Sequence, residues 1–304
     1  MKLNHIYHGH ALDILRTFPD NSIHCCITSP PYWNLRDYGV APTLWQDGHL
    51  ECLGREGSIT RYMAHLVEIF EEVRRVLRPD GTFWLNLGDT YSKGIPQDEG
   101  IRARNLCGIP WRVAFVLQSY GWDLHSDIIW HKLNPLPESI KTRPSRAHEY
   151  LFFFTKSSKY FYDCDAIREP YRTSSLKRLQ RAVGLKNKYA PQNLKDLKSQ
   201  PINTPRSGMD ANDIQKAIAE KRTVLHPLGK NKTSVWPLAV NAKKTTHYAP
   251  FPEKLVEPCV LAGCPEGGIV LDPFSGSGTT ARVAKRLNRS YIGIELNPTY
   301  ITAV

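Results

Sequence analysis

Apolar positions repeat with helical spacing from Ile59 onward. Ile59, Met63, Leu66, Phe70, Val73 and Leu77 step alternately by four and three residues, so ITRYMAHLVEIFEEVRRVL (59–77) predicts an amphipathic helix. The turn residues RPDG (78–81) close it, and the apolar run TFWLNLG (82–88) reads as a buried strand. PWRVAFVLQSYG (110–121) predicts a second helix with a glycine stop. WDLHSDIIWHK (122–132) and YLFFFTKS (150–157), the latter followed by KYFYD, predict strands. Upstream, HIYHG (5–9) and SIHCCITS (22–29) read as strands on either side of a short helix, ALDILRTFP (11–19). The C-terminal part repeats the alternation: helix FPEKLVEPCVLAG (251–263) with proline near its start, strand GGIVLD (267–272), helix TTARVAKRLN (279–288), strand YIGIEL (291–296). Between about 165 and 245 the periodicity fades, and only MDANDIQKAIAEKR (209–222) looks helical, so loops and short helices are expected there. The alternation predicts an α/β fold with a mainly parallel, doubly wound sheet. Residues 1–164 and 246–304 would form its main domain, and 165–245 an irregular insertion.

Charge sharpens that division. The chain of 304 residues carries a formal +11, and 172–250 hold 16 Lys/Arg against 4 Asp/Glu. The remainder is nearly balanced, 24 against 25, so the whole excess sits in one block. Clustered cations of this kind suit a polyanion such as DNA, and the block is the predicted partner surface. No apolar run approaches the roughly 20 residues that span a bilayer. MKLNHIYHGH has no apolar signal core, and the seven cysteines are odd in number with no C-x-x-C pair. These features predict a cytoplasmic protein whose cysteines are small core residues, with neither a disulfide framework nor a zinc knuckle.

The most specific local signal is VLDPFSGSGTTA (270–281), set between an apolar strand and an amphipathic helix. Gly276, Gly278 and Ala281 fit G-x-G-x-x-G/A, a loop that lets a ligand approach backbone N–H groups at a helix start. Glu295 ends the next strand, 23 residues after Asp272, where a carboxylate can accept both hydroxyl hydrogens of a ribose. No G-K-[ST] follows, so a Walker loop is disfavoured. Two nucleoside cofactors remain, a nicotinamide dinucleotide or S-adenosylmethionine. A dinucleotide site wants a second half after the loop, and only nine residues follow Glu295. The rest of the sheet must then come from upstream strands. One of these ends in TSPPYW (28–33), which should open onto the same cleft.

These residues resemble a known family. TSPPYW matches the [DNS]-P-P-[YFW] motif of DNA methyltransferases that modify exocyclic amino groups, N4 of cytosine or N6 of adenine. LDPFSGSGTT matches their cofactor motif. WLNLGDTY (84–91), HEYLFFFTKS (148–157) and FPEKL (251–255) also look like family segments, and their order resembles the permuted beta class. The resemblance covers most of the chain outside about 165–245. It implies S-adenosylmethionine as cofactor, held by Asp272, Pro273, Phe274, Gly276, Gly278, Thr279 and Glu295, and a catalytic turn of Ser29, Pro30, Pro31 and Tyr32. Ser29 Oγ and the Pro30 carbonyl would accept the hydrogens of the target amine, freeing its lone pair for in-line attack on the sulfonium methyl. The prolines fix φ and remove two N–H donors, and Tyr32 offers a stacking face to a base flipped from the duplex. No metal enters this chemistry.

Other positions stay open between a site role and plain packing or exposure. Trp33 would extend the stacking surface, Asn34, Arg36 and Asp37 would hold a loop over the base, Asp89 would line the cleft, and Lys254 would brace the cofactor. Gly9-His10 stands where the family often has Gly-Asp, which leaves that contact in doubt. In the family it resembles, serine before Pro-Pro-Tyr goes more often with cytosine N4 than with adenine N6, so the resemblance implies cytosine as the target. An RNA or protein amide methyltransferase, and a DNA-binding protein with a dead cofactor site, are the other readings.

Overall fold

Ile23–Thr28 form the strand around which the rest is arranged, and all of its residues but His24 are buried, as in a strand covered on both faces. The computed structural model describes residues 1–175, 226–240 and 251–301. The helix expected at 209–222 and most of the basic block lie outside the described residues. In chain order the elements are β1 (His5–His8), α1 (Ala11–Arg16), β2 (Ile23–Thr28), β3 (Thr43–Leu44), β4 (Leu50–Glu51) and α2 (Ile59–Val76). There follow β5 (Leu77–Leu87), α3 (Ile109–Ser119), β6 (Asp123–Lys132), β7 (His148–Thr155) and β8 (Val235–Leu238). The chain continues with α4 (Glu253–Gly263), β9 (Ile269–Asp272), α5 (Thr279–Arg286) and β10 (Ser290–Glu295).

Eight strands form one sheet in the order β1-β10-β9-β2-β5-β7-β6-β8. Neighbours are parallel from β1 through β5 and again at β6–β8, and β7 runs against both β5 and β6. The carboxyl ends of β1, β10, β9, β2, β5 and β6 therefore share one edge with the amino end of β7. The sheet is mainly parallel, as the alternation predicts. Alternate residues of β5 face opposite ways. Phe83, Leu85 and Leu87 join the core formed with α1, α2 and α3. Thr82 and Trp84 meet α4, where Thr82 Oγ1 donates to the Gly263 carbonyl at 2.9 Å. On α2, Ile59, Leu66, Phe70 and Val73 of the predicted stripe are fully buried and Met63 is partly buried, and Ser58 caps the helix by accepting from Arg61 N.

Two expectations change. RPDG does not precede the strand; β5 begins at Leu77. Ile23 pairs with Leu77 and Cys25 with Thr82, so the surplus residues form a bulge inside the ladder. The 165–245 stretch, expected to hold loops and short helices, contributes an edge strand: VWPL pairs parallel to β6, from Ile129↔Val235 to Lys132↔Leu238. A four-residue run containing proline carries too little pattern to be read as a strand, and an edge position tolerates the missing N–H.

Contacts divide the chain into a unit of 1–163 with 233–304 and a unit of 164–232. In the second unit, Glu169 pairs by backbone with Lys230 and accepts the ammonium groups of Lys230 and Lys232. Among the described residues no helix is long and apolar enough to cross a membrane. All seven cysteines are free thiols, five of them buried.

Phe83 is fully buried among the rings of Phe70, Trp122 and Phe154. Phe83→Ala should lower unfolding free energy by about 3–5 kcal/mol, read from the midpoint shift in urea denaturation at unchanged slope.

Candidate functional site

Two turns at neighbouring strand ends make the site. β2 pairs with β9 through Cys25↔Val270 and Cys26↔Leu271, which brings Thr28 beside Asp272 although 244 residues separate them in sequence. Thr28 Oγ1 donates to Asp272 Oδ1 at 2.6 Å, and Thr280 Oγ1 donates to Oδ2 at 2.7 Å. The Phe274 N–H also donates to Oδ1, at 3.1 Å. Asp272 is 2 % exposed, and burial pushes its carboxyl up to about 6 against the pull of these hydrogen bonds. It ties the glycine loop to the proline turn from behind, where it makes no part of the cleft wall.

Beyond Asp272 the loop turns through Gly276 (φ +50°) and Gly278 (φ +78°), and Gly278 caps α5 in a left-handed conformation that suits a residue without Cβ. Glu295, at the end of β10, accepts the Gly276 N–H at 2.7 Å through one oxygen and the Asn297 N–H at 2.8 Å through the other. Burial raises its pKa, opposed by these backbone bonds. Each oxygen keeps a further acceptor position.

The loop, the proline turn and the end of β1 enclose one cleft of about 880 Å³, counting its space open to solvent. Ser29 and Pro31 line it from one side, and Pro273, Phe274 and Glu295 from the other. Gly9 and His10 close one end. A strap that includes the β3–β4 hairpin supplies Arg36, Asp37, Tyr38 and residues on to Arg55. Pro30, Tyr32, Gly276, Gly278 and Thr279 are not among the residues that line it.

Comparison with known proteins identifies this arrangement. The family model N6_N4_Mtase, described as DNA methylase, matches residues 23–304. The chain belongs to this DNA methylase family. It is 38% identical to the type II methyltransferase M.XycI of Xanthomonas campestris pv. cyanopsidis, over 98% of this chain and 85% of that protein. It is 36% identical to M.SmaI of Serratia marcescens, over 96% and 86%. Among solved structures, the PvuII DNA methyltransferase (cytosine-N4-specific) shares the fold, with TM-score 0.62, 22% identity and coverage of 97% and 82%. A Thermus thermophilus protein solved in complex with S-adenosyl-L-methionine has TM-score 0.55 and 21% identity, over 97% and 88%.

In this methylase the proline turn is held from several sides. The Pro31 carbonyl accepts from Tyr62 Oη at 2.8 Å, and the Tyr32 ring lies against Gly88, where an added Cβ would come within 2.6 Å of it. Ser29 Oγ donates to Tyr32 Oη at 3.0 Å, and Tyr32 Oη donates to Glu149 at 2.8 Å. The other open positions resolve. Trp33 is buried in the core beside Tyr62 and adds no stacking surface. Asp89 caps α3, accepting from Gly108 and Ile109 N–H at 3.1 and 2.9 Å, and does not line the cleft. Lys254 is exposed on α4 and does not line it either. Asn34 sits at φ +50° and accepts from Lys93. His10 does reach the cleft. Burial lowers its pKa, and its Nδ1 is buried without a hydrogen-bond partner, while its ring meets Trp45 edge-on. Sequence reasoning named Arg36 and Asp37 of the strap, and missed Glu149, Lys132 and the strap beyond Asp37. Glu149 leaves one trace, an acid near the start of a strand whose middle is apolar from Tyr150 to Phe154.

The Asp272 carboxyl carries a pH signature. Its folded pKa lies above the value of 3.8 for a free side chain, so the folded state holds the proton that the unfolded chain has already lost. This contribution to stability is present at acid pH and is lost as pH rises through about 6. Wild type measured against Asp272→Asn by urea unfolding should therefore lose relative stability between about pH 4 and 6, and a flat difference would contradict the assignment.

Proposed function

We propose that the chain is a type II, site-specific DNA methyltransferase that moves the methyl group of S-adenosylmethionine to N4 of a cytosine flipped from the duplex. The observation that carries this reading is the single cleft lined by Ser29 and Pro31 on one side and by Phe274 and Glu295 on the other. The residues fit the cofactor. Glu295 has acceptor capacity for two hydroxyls, Phe274 offers an apolar face, the glycine turn leaves room for close approach, and the unpartnered Nδ1 of His10 awaits a polar group. S-adenosylmethionine, when bound, supplies an electrophilic methyl group on a sulfonium.

The protein's part is positioning. Ser29 Oγ and the Pro30 carbonyl accept the hydrogens of the exocyclic amine, which disfavours delocalisation of its lone pair into the ring. The doubled proline fixes the backbone angle at which those acceptors stand. Tyr32, braced against Gly88, provides the face on which the extruded base rests, offsetting part of an unstacking cost of about a few kcal/mol. Asp272 acts from behind, keeping the serine turn and the glycine loop in one register. The basic block at 172–250 supplies Lys and Arg for the phosphate backbone, with affinity that falls as salt rises. Serine in the first motif position supports cytosine, and the kinship with type II methyltransferases supports a role in modification paired with restriction.

Nucleoside mass spectrometry of mixed-sequence DNA incubated with protein and cofactor tests this directly. N4-methylcytosine is expected; N6-methyladenine alone would move the target to adenine. Glu295→Ala should weaken cofactor binding by about 1–3 kcal/mol through lost hydrogen bonds to a charged acceptor, measured by titration calorimetry, and equal affinity would remove Glu295 from the cofactor site.

A further inference from the structure

Glu149 has no part in the reading above, yet its surroundings are specific. It is the second residue of β7, at the end of that strand which reaches the edge bearing the cleft. Its Oε2 accepts from Tyr32 Oη at 2.8 Å, and its Oε1 accepts from Nζ of Lys132, the last residue of β6. Tyr32 Oη in turn accepts from Ser29 Oγ at 3.0 Å. Asn86 Oδ1 lies 3.2 Å from the same phenol oxygen, while the Asn86 amide donates to the Tyr150 carbonyl at 2.9 Å, which fixes its oxygen toward Tyr32. Each hydroxyl has one hydrogen, so the chain has a direction: serine to tyrosine to carboxylate. Ser29 has committed its hydrogen to Tyr32 and presents lone pairs alone to the cleft. Burial holds the Tyr32 phenol protonated, reinforced by the nearby Glu149 charge.

We infer that the chain Ser29–Tyr32–Glu149, with Lys132 pairing the carboxylate, fixes Ser29 as a hydrogen-bond acceptor for the target amine and carries away the proton that the methylated amine sheds. The inference rests on the amino-methyltransferase reading. As the methyl group is transferred the exocyclic nitrogen becomes cationic and loses a proton in the same step. Its N–H bond breaks and the hydrogen passes to Ser29 Oγ. The serine hydrogen passes to Tyr32 Oη, and the tyrosine hydrogen passes to Glu149 Oε2. The base becomes neutral, Glu149 becomes a neutral carboxyl, and both hydroxyls are restored with no change of oxidation state. Glu149 then returns the proton to water, which reaches it at the partly exposed Lys132 pair. The ordering also selects the substrate, because a serine that can only accept favours an amino group over a carbonyl oxygen at the same place.

The ionisable groups around Glu149 are Tyr32 from the proline turn, Lys132 from β6 and His148 beside it on β7; β5 contributes the neutral Asn86. Glu149 and Lys132 act through Tyr32 and are positioning residues. Single-turnover methyl transfer to unmodified genomic DNA, with cofactor and DNA affinity measured alongside, tests them. Glu149→Gln, which keeps the size and an acceptor for Tyr32 but cannot take up the proton, should slow transfer on the order of 100-fold with both affinities unchanged, and Glu149→Asp should recover part of that rate. Tyr32→Phe combined with Glu149→Gln should be no slower than the worse single variant, because one chain is broken either way. If wild type transfers methyl groups and Glu149→Gln keeps its rate, or the two losses add, the relay is wrong while the function stands. Should Glu149→Gln fail to fold, a Tyr32→Phe variant that binds cofactor and DNA and keeps the wild-type rate overturns the relay alone. A wild type that methylates no DNA overturns the amino-methyltransferase reading and the relay with it.

Discussion

The hydrogen bond from Thr28 to Asp272 is the constraint on which the site depends. Each turn is a local device: the doubled proline stiffens one strand end, and the paired glycines open another. Neither has a cleft to itself. Pairing of β2 with β9 brings them within reach, and the buried carboxylate joins the end of one strand to the end of the other and to the start of α5. Asp272 must be wholly removed from water to do this, which raises its pKa, and three donors offset that cost. A carboxylate offered to a ligand could not also be saturated from three directions, so its burial assigns it to the frame.

Glu295 shows the complementary arrangement. It too is held by two hydrogen bonds, but both come from backbone N–H groups, and one of these belongs to the glycine loop itself. The bond aligns loop and carboxylate while the oxygens stay at the cleft surface. The strap from Arg36 to Arg55 completes the enclosure, and it is anchored away from the cleft. Glu56, buried, accepts the Gly54 N–H, and His65 stacks on Trp45, whose edge meets His10. The wall of the cleft is therefore set by contacts that no ligand has to make.

Much of this was legible in the sequence, and the reasons differ by element. The stripe from Ile59 to Val73 and the apolar runs of β2, β5 and β7 are read directly, because burial on a helix face or within a sheet imposes a period on the residues themselves. The cleft was legible from SPPY and DPFSGSG because both motifs end strands, and in an open α/β sheet strand ends converge. VWPL was not, since an edge strand held by one neighbour needs no pattern beyond that pairing. Asp89 and Trp33 stayed open for a related reason: an acid at a strand end serves a helix N-terminus as well as a ligand, and an indole suits a core as well as a base. What separates those roles is the partner, which lies elsewhere in the chain. The side-chain order around Tyr32 was invisible on the same ground, since its members come from four separate segments.

The reversed strand gives that last point a structural cause. In a sheet whose strands all ran parallel, the site edge would carry strand carboxyl ends alone, each leading into its own loop. β7 runs the other way, so its amino end reaches that edge and presents Glu149 between Asn86 of β5 and Lys132 of β6. Glu149 pairs with Trp130 of β6, one residue beyond the last pair with β5, Leu87↔Tyr150, and that ladder fixes its position more firmly than a loop can. The cofactor side of the cleft uses flexible-backbone chemistry, glycine and free N–H groups. The opposite side uses side chains fixed on paired strands. A long-range sheet pairing is what lets a hydroxyl at the end of β2 be oriented by a carboxylate 120 residues further along the chain.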